Sequence, residues 1–198
     1  MRFSAVILAG GESRRMGRDK AWIEVAGESL LSRAVLKARR AGASEVFISG
    51  RRGVDYSGLE CPVLLDARTG RGPLGGIERA LDAATHSLLL VLAVDVPGVT
   101  AALLRRLISR CEGITGVVPT LRGELEPLVA VYPKRCHGLV TEALRRHRWR
   151  AREFAETCLR AGAVRTLRVA AAERGRFRNW NSPADLPAQA DWSIRTGG

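Results

Sequence analysis

Two periodicities alternate along the chain. The apolar blocks Val6 to Ala9, Glu45 to Ser49, Pro62 to Leu65, Ser87 to Val94, Gly116 to Pro119 and Pro127 to Tyr132 are too brief for helices, and each predicts a strand. Trp22 to Val25 is a further short candidate, with a turn at Gly27. Between the blocks the spacing changes. Ser29 to Ala41 places Leu30, Leu31, Ala34, Val35 and Ala38 on one helical stripe and closes at Gly42. Gly72-Pro73-Leu74-Gly75-Gly76 opens a helix to about Ala84, with proline where a first turn tolerates it. Thr100 reads as the N-cap of a helix through Cys111, and two more helices follow over about Lys134 to Arg146 and Arg152 to Ala161.

The run SLLLVLAV, Ser87 to Val94, lacks alternation, as expected of a central parallel strand covered on both faces. Strands alternating with helices predict an α/β protein: a single-domain, Rossmann-like, three-layer α/β/α fold with a mostly parallel central sheet. Ligands of such sheets bind outside the carboxyl ends of the strands. Gly10-Gly11, Ser49, Asp66 and Asp95 each end or follow a predicted strand, so they are expected to share one edge. The domain is expected over 1–190, with 191–198 as a loose tail and no internal repeat.

Length and composition narrow the class. A chain of 198 residues suits one core. No apolar run approaches the roughly 18 to 20 residues that span a bilayer, and the short N-terminal run ends in glycine and charge, so neither a membrane span nor a signal peptide is expected. Cys61, Cys111, Cys136 and Cys158 are scattered without a C-x-x-C pair, which predicts reduced thiols in the cytosol. The net charge of +12 invites a nucleic-acid reading. Against it, 29 of the 32 basic residues are arginines spread over the whole chain, without interleaved aromatic platforms. A nucleic acid is therefore not the expected partner, and an anionic small substrate explains local clusters as well.

The densest candidate chemistry is LAGGESRRMGRDKA, Leu8 to Ala21. It is not a Walker loop, because five residues separate Gly11 from Gly17 and Arg18-Asp19 follows; G-x-G-x-x-G fails too. Adjacent glycines still let backbone N–H groups approach a polyphosphate or a base edge, and Arg15 and Lys20 supply donors and positive charge. The bland alternative is a tight turn with solvated arginines. Asp95 ends the most hydrophobic strand before a proline that stops it, and offers a hard oxygen to Mg²⁺; a strand-end cap is its bland alternative. Ser182-Pro183-Ala184-Asp185 reads as a helix start, with Ser182 as N-cap and Asp185 at N3. The only two asparagines, Asn179 and Asn181, would share a face if they lay on a strand. Arg145, Arg146, Arg148, Arg150 and Arg152, interrupted by His147 and Trp149, read as a solvated face or as an anion-receiving one.

The stretch Leu8 to Ala21 resembles the signature L-A-[GA]-G-x-[SG]-x-R-M-G-x-x-K of nucleotidyltransferases that activate a substrate phosphate with a nucleoside triphosphate. GPLGGI at Gly72 to Ile77, DVPGV at Asp95 to Val99, EPLVAVY at Glu126 to Tyr132 and FRNWNSPADL at Phe177 to Leu186 follow in order. Over nearly its full length the chain resembles the molybdenum cofactor guanylyltransferases, the MobA family. The resemblance implies the nucleotide-diphospho-sugar transferase type of fold, with a GTP-binding N-terminal half and a molybdopterin-binding C-terminal half. It implies nucleotide contacts at Leu8, Ala9, Gly10, Gly11, Lys20, Ser49, Asp66 and Asp95, catalytic roles for Arg15, Lys20 and Asp95, and Mg²⁺ on Asp95. Gly75, Asn179 and Asn181 fall on the molybdopterin side, where Trp149 or Trp180 could stack on the pterin. Ser49 stands where the family commonly has asparagine near the guanosine, leaving Gly50 or Arg51 as substitutes.

The implied reaction transfers GMP from GTP to the terminal phosphate of Mo-molybdopterin in the cytoplasm. Transient contacts with upstream cofactor-synthesis proteins and receiving molybdoenzymes are implied as well. Related cytidylyltransferases and sugar-phosphate nucleotidyltransferases are the near alternatives; LAGG and Asp19-Lys20 favour guanine over the LAAG and Pro-Lys more usual in the cytidine enzymes. A nucleic-acid-binding module and a carrier of the finished cofactor are the alternatives from other classes.

Overall fold

A computed structural model describes residues 1–10, 20–65, 72–181, 185 and 190–191. Its strands are β1 (Ser4–Leu8), β2 (Glu24–Val25), β3 (Glu28–Ser29), β4 (Glu45–Gly50), β5 (Val63–Leu65), β6 (Leu88–Ala93), β7 (Gly116–Leu121), β8 (Glu124–Leu125), β9 (Val129–Pro133), β10 (Val164–Arg168) and β11 (Ala190–Asp191). The helices are α1 (Leu30–Ala41), α2 (Pro73–Ala83), α3 (Ala101–Ser109), α4 (His137–Arg145) and α5 (Ala151–Arg160).

The main sheet has the order β10-β7-β9-β6-β1-β4-β5, with β8 paired to β7. Strands β6, β1, β4 and β5 run parallel, as do β10 and β7, whereas β9 is antiparallel to both of its neighbours. From β1 the chain winds outward to β4 and β5, then returns to β6 on the other side of β1. The crevice beyond Leu8 and Ala93 is thus a topological switch point, where open α/β sheets bind ligands. Helices α1 and α3 contribute to the apolar cluster on one face, and α2, α4 and α5 to the cluster on the other. This is the expected three-layer arrangement.

The local signals explain most of it. Ser29 caps α1 by accepting from Ser32 N–H, and Gly42 closes it in the left-handed conformation at φ 100°. Thr100 caps α3 from Leu103 N–H, although that helix ends at Ser109, short of Cys111. Every residue of β6 is buried, as its unbroken apolar run requires. At Gly76, in the first turns of α2, an added Cβ would lie 2.2 Å from Ser49 Oγ and 3.0 Å from Leu8 Cδ2. Its absence lets α2 close on β1 and β4.

Several expectations need correction. Lys20–Trp22 is a 3-10 turn, so the expected strand over Trp22 to Val25 shrinks to β2, the first arm of a hairpin with β3. The helix expected from Lys134 begins as a 3-10 turn over Lys134–Cys136 and becomes α only at His137. Strands β8 and β10, and the 3-10 segment Ala171–Phe177, are absent from the expected elements. Asp191, placed in the loose tail, instead pairs with Glu24 in β11. The tail beyond it, 192–198, lies outside the described residues.

Candidate active site

The parallel strands deliver their carboxyl ends to one edge. Ala9 N–H donates to Ser49 O (3.0 Å) and Val94 N–H to Leu8 O (3.3 Å), so the exit of β1 is stitched to both neighbours. Leu8 and Ala9 are buried side chains, and Gly10 emerges half-buried beyond them. A Cβ on Gly10 would meet Ser49 O at 3.6 Å and the Arg51 stem at 3.9 Å, ordinary contacts that the chain itself could accommodate. Gly11 and Arg15, expected at this site, lie outside the described residues, as does Asp66.

Lys20, Asp95 and Asn181 come together at this edge from distant parts of the chain. Lys20 Nζ donates to Asn181 Oδ1 at 2.8 Å. Trp180 N–H donates to Asp95 O at 2.8 Å, placing the residue before Asn181 against the turn that carries Asp95. Burial raises the Asp95 carboxyl above the ordinary aspartate range, and the Lys20 charge pulls it back. The residues 178–181 form no strand; Asn179 is exposed, and of the two asparagines it is Asn181 that bonds Lys20. Asp185, read as an N3 helix cap, accepts instead from Asn181 N–H (3.0 Å) and Arg178 Nη2 (3.0 Å). Ser182, its proposed N-cap partner, lies outside the described residues.

The turn after β6 is held from two further sides. Lys37 of α1 donates to Pro97 O at 2.6 Å, and its partial burial lowers its pKa to about 8, with Arg33 adding to the shift. Gly98 lies against Arg176: a Cβ there would stand 2.7 Å from Arg176 O. The glycine of DVPGV thus admits the 3-10 segment that leads into Asn181.

One carboxylate escaped the sequence reading. Because β9 runs antiparallel to β6, its approach lies at the carboxyl edge: Leu128 O accepts from Ala93 N–H (2.9 Å), and Glu126 N–H donates to Pro119 O (2.9 Å). Burial raises the half-buried Glu126 carboxyl, Arg152 opposes the shift, and the Asp95 charge adds to it. EPLVAVY is visible as a motif, but a role for its glutamate requires the direction of β9.

The remaining expectations divide. Ser49 is buried, with its hydroxyl under Gly76, so its side chain serves the packing of α2 and does not face the crevice. Gly75 is buried in the first turn of α2. Much of the arginine cluster is ion-paired: Arg145 and Arg146 with Glu142 (3.2 and 2.6 Å), Arg150 with Glu153 (3.7 Å) and Arg152 with Glu124 and Glu156. This favours the solvated face for those members. Trp149 is exposed and lies beside the start of α2, its carbonyl 3.7 Å from where a Gly72 Cβ would stand. Trp180, the other stacking candidate, is half-buried against the core.

Among the described residues no group of three or more His, Cys, Asp or Glu side chains could enclose a metal. Asp95 and Glu126 are hard oxygen donors on one edge, a set that suits Mg²⁺, which completes its shell with phosphate and water. It does not suit a closed zinc site. No described helix is long and apolar enough to cross a membrane.

Comparison with known proteins places the chain and its fold. A probable molybdenum cofactor guanylyltransferase from Pelotomaculum thermopropionicum is 39% identical over 187 residues, covering 92% of this chain and 89% of that one. One from Opitutus terrae is 37% identical over 185 residues, covering 92% of each. The crystal structure of molybdopterin-guanine dinucleotide biosynthesis protein A from Archaeoglobus fulgidus shares the fold, with a TM-score of 0.71 at 23% identity over 92% of this chain and 94% of that one. The model of the MobA-like NTP transferase domain matches residues 5–166, which carry the switch-point crevice, Lys20 and Asp95, and the chain belongs to that family.

Proposed function

We propose that the protein transfers GMP from GTP to the terminal phosphate of Mo-molybdopterin, forming the guanine dinucleotide cofactor and pyrophosphate. The observation that carries this reading is the meeting of Lys20, Asn181 and the partly desolvated Asp95 at the switch point beyond Gly10. The names of the relatives supply the nucleotide and the acceptor.

The attacking oxygen belongs to a phosphate that is ionised at neutral pH, so no strong general base is needed. Its bond to the α-phosphorus forms as the bond from that phosphorus to the β-bridging oxygen breaks, and pyrophosphate leaves with the electron pair. Catalysis then consists of alignment and charge neutralisation. In this reading Asp95, with Glu126 beside it, holds Mg²⁺, which supplies Lewis-acid polarisation of the phosphate oxygens when bound. Lys20 balances charge on the departing pyrophosphate, with Arg15 and the Gly10-Gly11 backbone as its assigned companions. Leu8 and Ala9, whose side chains are buried, contribute backbone groups alone. Asp66 is assigned to the nucleotide, and Arg51, beside Gly10, takes the guanosine-side place that the buried Ser49 cannot fill. The acceptor lies toward Gly75, Asn179 and Asn181, with Trp149 as the exposed stacking face. The domain extends through β11 to Asp191, its earlier half serving GTP and its later half the pterin, in the cytoplasm. Contacts with upstream cofactor-synthesis proteins and receiving molybdoenzymes are transient.

Two measurements test this. A thermal-shift comparison of GTP, CTP, ATP and UTP with Mg²⁺ is expected to show preferential stabilisation by GTP; preference for CTP would reassign the nucleotide. Labelled pyrophosphate should appear only when molybdopterin is added, and its absence would leave a carrier of the finished cofactor as the better reading.

A further inference from the structure

The segment 178–181 has no regular structure, yet it supplies a partner of Lys20. Its upstream end is fixed twice, by the close approach of Arg176 to Gly98 and by Trp180 N–H on Asp95 O at 2.8 Å. Downstream, among the described residues, it is held by the Asp185 side chain. One oxygen of that carboxylate accepts from Asn181 N–H at 3.0 Å and the other from Arg178 Nη2 at 3.0 Å. The Asp185 side chain is 19% exposed, whereas Arg178, at 69%, and Asn181 are both exposed. A carboxylate accepting a backbone N–H makes a charge-assisted bond, stronger than a neutral one. The Asn181 backbone is thereby pinned from both sides, and its side-chain oxygen remains directed at Lys20 Nζ, 2.8 Å away.

We infer that Asp185 is a positioning residue for nucleotidyl transfer: through the Asn181 backbone it sets the Asn181 side chain, which holds the Lys20 ammonium at the triphosphate side of the crevice. The contact relay is Asp185, Asn181, Lys20, and in it each Asp185 oxygen accepts from the chain, so Asp185 acts through Asn181. The inference rests on the proposed role of Lys20 with GTP. The relay itself is a property of the protein without substrate, which allows it to be tested apart from that role.

Composition provides the probe. The chain has three lysines: Lys20, Lys37 and Lys134. Lys134 donates to Ala84 O at the opposite edge of the sheet and Lys37 to Pro97 O in the turn that carries Asp95, so in protein labelled at the lysine ζ-nitrogen the Lys134 ammonium reports a separate region and Lys37 the turn beside the relay. Lys20→Arg assigns the third signal. In Asp185→Ala the Lys20 signal is expected to shift in the same direction as in Asn181→Ala, with faster hydrogen exchange, while the Lys134 signal stays in place. Asp185→Asn keeps one acceptor for Asn181 N–H and should return the signal toward wild type. It also serves if the alanine variant does not fold.

In turnover, Asp185→Ala should lower kcat by roughly tenfold or more, on the scale of a misplaced catalytic group. The KM for GTP should change by less than about threefold, since the effect falls on the transition state. The double variant Asp185→Ala/Asn181→Ala should be no slower than Asn181→Ala alone. An unmoved Lys20 signal in Asp185→Ala, or losses that multiply in the double variant, would overturn the relay. If the wild type releases no pyrophosphate from GTP and molybdopterin, the functional reading fails, and the lysine spectrum still decides whether the relay exists.

Discussion

Gly98→Ala tests whether the turn after β6 and the 3-10 segment beside it act as one unit. The added Cβ would stand 2.7 Å from Arg176 O, 3.0 Å from its Cα and 3.2 Å from its carbonyl carbon. All three are backbone atoms, so no rotamer change can relieve the contact. The two segments must separate by roughly half an ångström to reach van der Waals distance. Overpacking of this kind costs about 1–3 kcal/mol. The stiffer unfolded chain of alanine returns about 0.4–1 kcal/mol. The net loss, between about 0 and 2.6 kcal/mol and centred near about 1.3, corresponds to a fall in Tm of up to roughly 10 °C for a chain of this size. The larger consequence is functional, because the displaced segment carries Trp180 and Asn181 against Asp95 and Lys20. If a misplacement of 1 Å costs about a hundredfold, half of that costs roughly tenfold in kcat. Gly138→Ala in α4, where an added Cβ meets nothing within 4 Å, is the control, with an equal or higher Tm and unchanged kcat. Steady-state pyrophosphate release and thermal denaturation of both variants measure these effects. Wild-type kcat in Gly98→Ala would refute the argument that this contact sets the site.

Lys20→Ala should reduce kcat by about 10²- to 10³-fold, as when a charge-stabilising donor is removed, with its circular dichroism unchanged; near-normal turnover would remove Lys20 from the mechanism. Asp95→Asn should abolish turnover and raise Tm at neutral pH. Burial raises the Asp95 pKa, so the native carboxyl binds its proton more tightly than the unfolded one. The wild type therefore loses stability as pH rises from the ordinary aspartate value through the folded one, and the advantage of asparagine should vanish below about pH 4, where both states are protonated. An Asp95→Asn variant less stable than wild type at pH 7 would show that the charge is well compensated. Trp149→Ala should raise the KM for molybdopterin by about tenfold, the scale of lost base stacking, with the GTP thermal shift unchanged; an unchanged KM would return Trp149 to the solvated face.

What the sequence disclosed was local, and what it withheld was set by direction and distance. Helix α1 was legible because its cap, stripe and terminating glycine lie within one short window, and β6 because an unbroken apolar run has few other uses. Strand β10 was not, since Val164–Arg168 alternates with arginine and earns its place by pairing with β7. The direction of β9 follows from partners more than thirty residues away in the chain, as in Leu92 opposite Val129, and without it Glu126 had no reason to join Asp95. The same limit explains the asparagines. Their rarity marked the right segment, but period-two reasoning assumed a strand, whereas the backbone there is shaped by Gly98 and Asp185. Asp185 was assigned to a helix start that accounted for it by local pattern, and that sufficiency hid its tertiary role. The composition of Phe177 to Leu186 could reveal that the segment was unusual. Only the third dimension shows that one asparagine meets Lys20 while the other faces solvent.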